Sequence, residues 1–194
     1  MSKVRRVYVE KKQEFSGEAK ELGHEIKHYL GIPGVRKVRI LIRYDVENIS
    51  EETFERACHV VFAEPPVDIL YKEKFEATED SSIFTVEYLP GQFDQRADSA
   101  VQCLRFLDEN EQPMIRSATT YVIEGDVNKE EFHAIRNHCI NPVDSREAKM
   151  EKPETLIAKF EEPADVETFE VFTEMNLDKF MELYRSLNLA MTFQ

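Results

Sequence analysis

Along the chain, hydrophobic positions switch between a period of two and a period near 3.6, the signatures of strand and helix. RRVYVEK alternates, and 16-SGEAKELGHEIKHYLG-31 sets Ala19, Leu22, Ile26, Tyr29 and Leu30 on one helical stripe. Gly31, Pro33 and Gly34 end it. VRKVRILIRYDV then alternates Val38, Ile40 and Ile42 against arginines, which predicts a strand with one wet face. Ser50 stands where a cap would open a short helix bearing Phe54, Ala57, Cys58 and Val61.

The same order returns from Phe84. IFTVEYL predicts a strand, and 94-DQRADSAVQCLRFLDE-109 a helix with Ala97, Ala100, Val101, Leu104 and Leu107 at helical spacing. IRSATTYVIEGDV is the next strand, and Asn128 with Glu131 forms a capping-box start for a helix carrying Phe132 and Ile135. Residues correspond across the halves: Val9-Glu10 with Val86-Glu87, Ala19 with Ala97, Ile26 with Leu104, and Asp45-Val46 with Asp126-Val127. Phe54 likewise matches Phe132, and Pro66-Val67-Asp68 matches Pro142-Val143-Asp144. Two βαβα repeats, about 5–68 and 84–141, would each leave a sheet half covered and would bury it by pairing. The expected fold is α+β: an antiparallel sheet with helices on one side and a pseudo-twofold axis, forming an N-terminal domain over residues 1–141.

From 142 to 194 the pattern loses its period. NPVDSREAKMEKPETLIAKFEEPADVETFE is rich in Pro, Glu and Lys, and predicts an extended linker domain with short ordered pieces. It ends in an amphipathic helix over 177–191, with Leu177, Phe180, Met181, Tyr184 and Leu187 on its apolar side. The stop at Phe193-Gln194, without a closing strand, is what a chain cut short would show.

Composition narrows the function classes. The 194 residues are 42% hydrophobic and 32% charged, as expected of an ordered globular chain. A formal net charge of −13 with scattered Lys and Arg argues against nucleic-acid or anionic-membrane partners. No run of apolar residues approaches a membrane span, and MSKVRRVYVE lacks the apolar core of a signal peptide, so the expected location is the cytoplasm. Cys58, Cys103 and Cys139 form no CxxC pair and are expected as small buried hydrophobes.

Residues 24-HEIKH-28 match the zinc-peptidase helix, with Glu47 as an available third ligand. Physical placement opposes the match. Ile26 lies on the core stripe, and at about 100° per residue His24 and His28 sit roughly 160° from it, facing solvent. A zinc peptidase therefore stays a distant alternative, and no metal ligand is assigned. His59, His133 and His138 have no sequence-near partners, there is no Gly-rich phosphate loop, and Asp144-Ser145-Arg146-Glu147 and Glu161-Glu162 read as solvated loop charges. No catalytic residue is assigned.

The stretch 86-VEYLPGQFDQRADSAVQC-103, with RYDVENISEETFERA, EPPVD, and INPVDSREA followed by KPETL, resembles the N-terminal and linker region of large, single-chain phosphoribosylformylglycinamidine synthase. The resemblance runs over essentially the whole chain. It implies a domain built like a fused pair of the small subunit of the multi-subunit enzyme, followed by the linker domain. It further implies partners in the same parent chain, a synthase domain and a glutaminase domain. The parent's ligase chemistry converts formylglycinamide ribonucleotide, ATP and glutamine to the amidine, ADP, phosphate and glutamate. ATP and magnesium belong to that parent enzyme, and no cofactor is expected in these residues, which are expected to be inactive alone.

Against that frame the site candidates are specific. Pro90 and Gly91 are expected to make a turn, Phe93 to pack ahead of the helix, and Asp94 to cap it. Gln95, Arg96, Asp98 and Ser99 cluster polar groups on the first turn, and are the candidates for docking a partner domain or bordering its ligand cleft. A free-standing small-subunit-like adaptor acting in trans stays open. So does a homodimer of the fragment through sheet edges or the last helix.

Overall fold

The computed structural model describes residues 4–157, 165, 168 and 172–187. It is an α+β protein. The chain divides into two compact units, Met1–Ile157 and Ala158–Gln194.

In the first unit the elements run β1 (Arg5–Lys11), α1 (Gly17–His28), β2 (Val35–Glu47), α2 (Glu51–Val60), β3 (Asp68–Lys72), β4 (Ser81–Tyr88), α3 (Gln95–Leu107), β5 (Met114–Gly125), α4 (Lys129–Cys139) and β6 (Ser145–Glu147). The strands form one six-stranded sheet in the order β3-β1-β2-β5-β4-β6, antiparallel at every pairing. Its centre is the long β2–β5 ladder, in which Leu41 faces Thr120 and Tyr44 faces Ser117.

Local chemistry sets the helix starts. Ser50 accepts from the Thr53 N–H to open α2, and Asn128 and Glu131 exchange both bonds of a capping box at α4. At the β2–β5 end Gly34 is obligatory: a Cβ there would lie 2.0 Å from the Asp126 carbonyl oxygen.

Alternation within the strands separates two faces. On one, Val7, Val9, Tyr44 and Val46 pack with Phe54, Ala57, Phe62, Ala100 and Leu104, joining α2 and α3 to the sheet. On the same face Val38, Phe84 and Ile123 pack with Ile26 and Ile135, joining α1 and α4. The opposite face has a smaller apolar cluster of Tyr8, Leu41 and Val122, with Tyr71, Phe75 and Ile83 around it. Tyr29, expected on the α1 stripe, is 79% exposed.

Three sequence expectations change. The segments Asp68–Lys72 and Ser145–Glu147 are edge strands, so the charges of Arg146 and Glu147 belong to a ladder rather than a loop, with Arg146 donating to Glu87 at 2.8 and 2.9 Å. These strands are five and three residues long, and a period of two has too few residues to declare itself. The compact unit extends to Ile157, past the composition change at 141, because β6 pairs with β4 and Ala148 donates to the Thr85 carbonyl. The third concerns the wet face of β2. Arg43, Asp45 and Glu47 are all buried there, since residues 148–157 lie across them.

The second unit contains a short 3-10 turn, Phe172–Glu174, and α5, Leu177–Ser186, capped by Asn176. Phe172 and Phe180 meet edge to face at 5.6 Å. Glu161-Glu162 and residues 188–191 of the expected last helix lie outside the described residues. No described helix is long and apolar enough to cross a membrane.

Candidate functional site

The Leu89–Gln92 turn closes with the Gln92 N–H on the Leu89 carbonyl at 3.0 Å. Pro90 presets its first central position, and Gly91 takes φ +94 at the second, where a side chain would strain the backbone. The turn delivers Asp94, whose Oδ1 accepts from the Ala97 N–H at 2.9 Å and the Ser117 hydroxyl at 2.8 Å. Its Oδ2 accepts from the Ser117 N–H at 2.8 Å, so the cap also rivets α3 to β5. Phe93 does not pack; it is 70% exposed, because the rivet turns the chain outward just before the helix.

Behind this rivet lies a cavity of about 650 Å³ on the helix-bearing face. Gln95, Arg96 and Ser99 line it from α3, Tyr44, Ser117 and Tyr121 from the sheet, and Cys139, Asn141 and Asp144 from the end of α4 and the loop beyond. A neighbouring cavity of about 620 Å³ shares Tyr44, Val61 and Arg96 with it. Arg96 therefore stands where the two meet.

Arg96 makes no ion pair among the described residues, whereas three arginines of the sheet's other face have acidic partners: Arg6 and Arg43 with Asp45, Arg39 with Glu10. Burial pushes the Tyr44 phenol above its ordinary range, and the Arg96 guanidinium beside it pulls the other way. Ser99 donates to the Gln95 carbonyl at 2.8 Å. Asp98 is not among the residues that line the cavity; half-buried, it accepts from Gln102 one turn further along the helix at 2.6 Å. The geometry thus joins three of the four first-turn candidates and leaves Asp98 apart.

The cysteines divide. Cys58 is buried, Cys139 half-buried and Cys103 exposed at the cavity wall, where the helical stripe had suggested burial. Burial pushes the Cys58 thiol up to about 11 and the Cys139 thiol up to about 12, which leaves neither a ready nucleophile.

His24 and His28 are exposed, their rings 4.2 Å apart between centroids. Glu25 meets His138 at 3.1 Å, and Glu47 is engaged by Thr155 and Leu156, so the members of the HExxH reading are held in separate contacts. His59 and His133 are exposed on their helices.

Sequence reasoning missed the charged array on the far side of the sheet. Arg6 forks onto Asp45 at 2.5 and 2.8 Å, with both side chains 3–4% exposed. Arg43 sits 3.4 Å from the same carboxylate. Burial depresses the Arg43 pKa despite Asp45; for Arg6, burial also acts downward, but the Asp45 pairing outweighs it and the net shift is upward. The visible signal was Arg39, Arg43, Asp45 and Glu47 alternating on one strand, too many opposite charges for a merely solvated face.

No family model, no curated protein and no solved structure matches this chain.

Proposed function

We propose that the chain is the noncatalytic N-terminal and linker portion of a phosphoribosylformylglycinamidine synthase. In this reading it holds the synthase and glutaminase domains of one cytoplasmic parent chain in register, while those domains carry ATP, magnesium and the glutamine chemistry of purine biosynthesis. The observation that carries the reading is the strand order β3-β1-β2-β5-β4-β6. Strand, helix, strand, helix, strand occurs before and after the loop between β3 and β4, and the two long second strands meet at the sheet centre. Two fused copies of a small subunit that pairs through its sheet would have this order, and residues 5–68 and 84–141 are the proposed copies.

Within that reading Gln95, Arg96 and Ser99 form the docking or cleft-border surface. An arginine without an acidic partner, at a cavity in a chain of net charge −13, suits an acidic group on a partner domain. Replacing Arg96 by alanine in the full-length enzyme is expected to lower glutamine-dependent turnover several-fold with the domain still folded. Unchanged kinetics would remove Arg96 from the docking surface. The second reading, a separate small subunit binding a synthase in trans, uses the same surface and differs in the size of the native polypeptide.

A further inference from the structure

The face of the sheet opposite α1 to α4 is covered by residues 148–157, and the contacts are mostly to backbone. Arg43 donates to the Lys149 carbonyl at 2.9 Å and Arg6 to the Met150 carbonyl at 2.7 Å. At the far end Glu47 accepts from the Leu156 N–H at 2.6 Å, and Arg116 donates to the Leu156 carbonyl at 2.8 Å. Ala148 and Leu156 are the two buried side chains of the segment, at 6% and 5% exposure, while the residues between them are exposed or half-buried.

This is how an extended peptide is held: fixed charged groups satisfy its main chain, and pockets select a few side chains. We infer that the polar face of the sheet is a backbone-reading peptide site whose occupant is the chain's own 148–157 segment. Two of the groups that read it, Arg6 and Arg43, are held by a carboxylate outside the segment. Arg6 and Arg43 share Asp45, and β1 opposes Arg6 to Asp45 while β5 opposes Arg116 to Asp45 in register. Glu47 spends its carboxylate on the segment, through Leu156 N–H and the Thr155 hydroxyl at 2.9 Å, and Glu73 pairs with Lys152 of the segment.

Because the segment follows β6 directly, it occupies the site at an effective concentration on the order of millimolar. A free peptide of the same sequence would be excluded until the tethered one is displaced. The inference goes beyond the proposed function and does not depend on it.

The test uses the full chain and a fluorescent peptide of sequence AKMEKPETLI, residues 148–157. Leu156→Asp places a second carboxylate against Glu47 and should release the tethered segment while leaving the face unaltered. Saturable peptide binding to Leu156→Asp, at least tenfold tighter than to the unmodified chain, is expected. Adding Glu47→Ala, which removes the acceptor, should abolish it. Hydrogen exchange of the β2 and β5 amides reports whether the sheet persists. Three results overturn the inference: a protected sheet that does not bind the peptide, or loss of sheet protection in Leu156→Asp, which would make the segment part of the cooperative core. The third is binding indifferent to Glu47→Ala.

Discussion

Asp94 and Ser117 are joined twice, through the Ser117 N–H and through its hydroxyl, both at 2.8 Å. One carboxylate therefore caps α3 and ties it to the central strand β5, which fixes where Gln95, Arg96 and Ser99 stand at the cavity. Asp94→Ala removes a cap, worth about 1 kcal/mol, and leaves the Ser117 N–H without its acceptor, about 1–3 kcal/mol more. Urea unfolding should show a loss of about 2–4 kcal/mol with an unchanged m-value. A loss below about 0.5 kcal/mol would mean that water replaces the carboxylate.

The Arg6–Asp45 pair should respond asymmetrically. Asp45→Ala strands two buried guanidinium groups, Arg6 and Arg43, and is expected to cost about 3–5 kcal/mol. Replacing Arg6 and Asp45 together by Met and Leu should cost distinctly less than Asp45→Ala alone, since one buried guanidinium, Arg43, then loses the carboxylate instead of two. A double-mutant cycle on thermal unfolding measures the difference.

Two glycines separate conformational from steric need. Gly91→Ala adds a side chain at φ +94 with open space around it, so about 1–2 kcal/mol of backbone strain is expected and little else. Gly34→Ala drives a Cβ against the Asp126 carbonyl and must spread the β2–β5 junction. It should cost more than Gly91→Ala, with accelerated amide exchange confined to Val35 and Gly125 first.

Thiol chemistry gives a pH test. At pH 8 a maleimide should modify Cys103 first, with Cys58 and Cys139 slower by tenfold or more, because they are less accessible and their thiols are held protonated. Both folded-state values lie above the ordinary 9.0, so the unfolded chain ionises first as pH rises. Their contribution to stability is full below about pH 9 and is lost between there and about 11 to 12. Cys139→Ala should flatten the alkaline fall in melting temperature; an unaltered curve would contradict the assignment.

The parts of the fold that were legible from the sequence were those with a long enough period. Val7 and Val9, or Ala100 and Leu104, repeat often enough to mark a face, and Ser50, Asp94 and Asn128 announce helix starts by their chemistry. Strand β6 spans three residues and leaves no period to read. The far-side array was misjudged because solvation of Arg43 and Asp45 depends on what covers them, and their cover, Ala148 to Leu156, is contributed by a segment more than a hundred residues further along. At the cavity, the first-turn cluster was visible, but its division was not: a one-residue step of about 100° along α3 decides whether a side chain meets the cavity, as Ser99 does, or turns away, as Asp98 does.

The proposed role, as the front of a multidomain ligase, can be tested directly. Antibody raised against the chain should precipitate, from a lysate of the source organism, a polypeptide several times larger than 22.7 kDa. The precipitate should convert formylglycinamide ribonucleotide to its amidine with ATP and glutamine. A band at 22.7 kDa, or a larger one without that activity, would contradict the account.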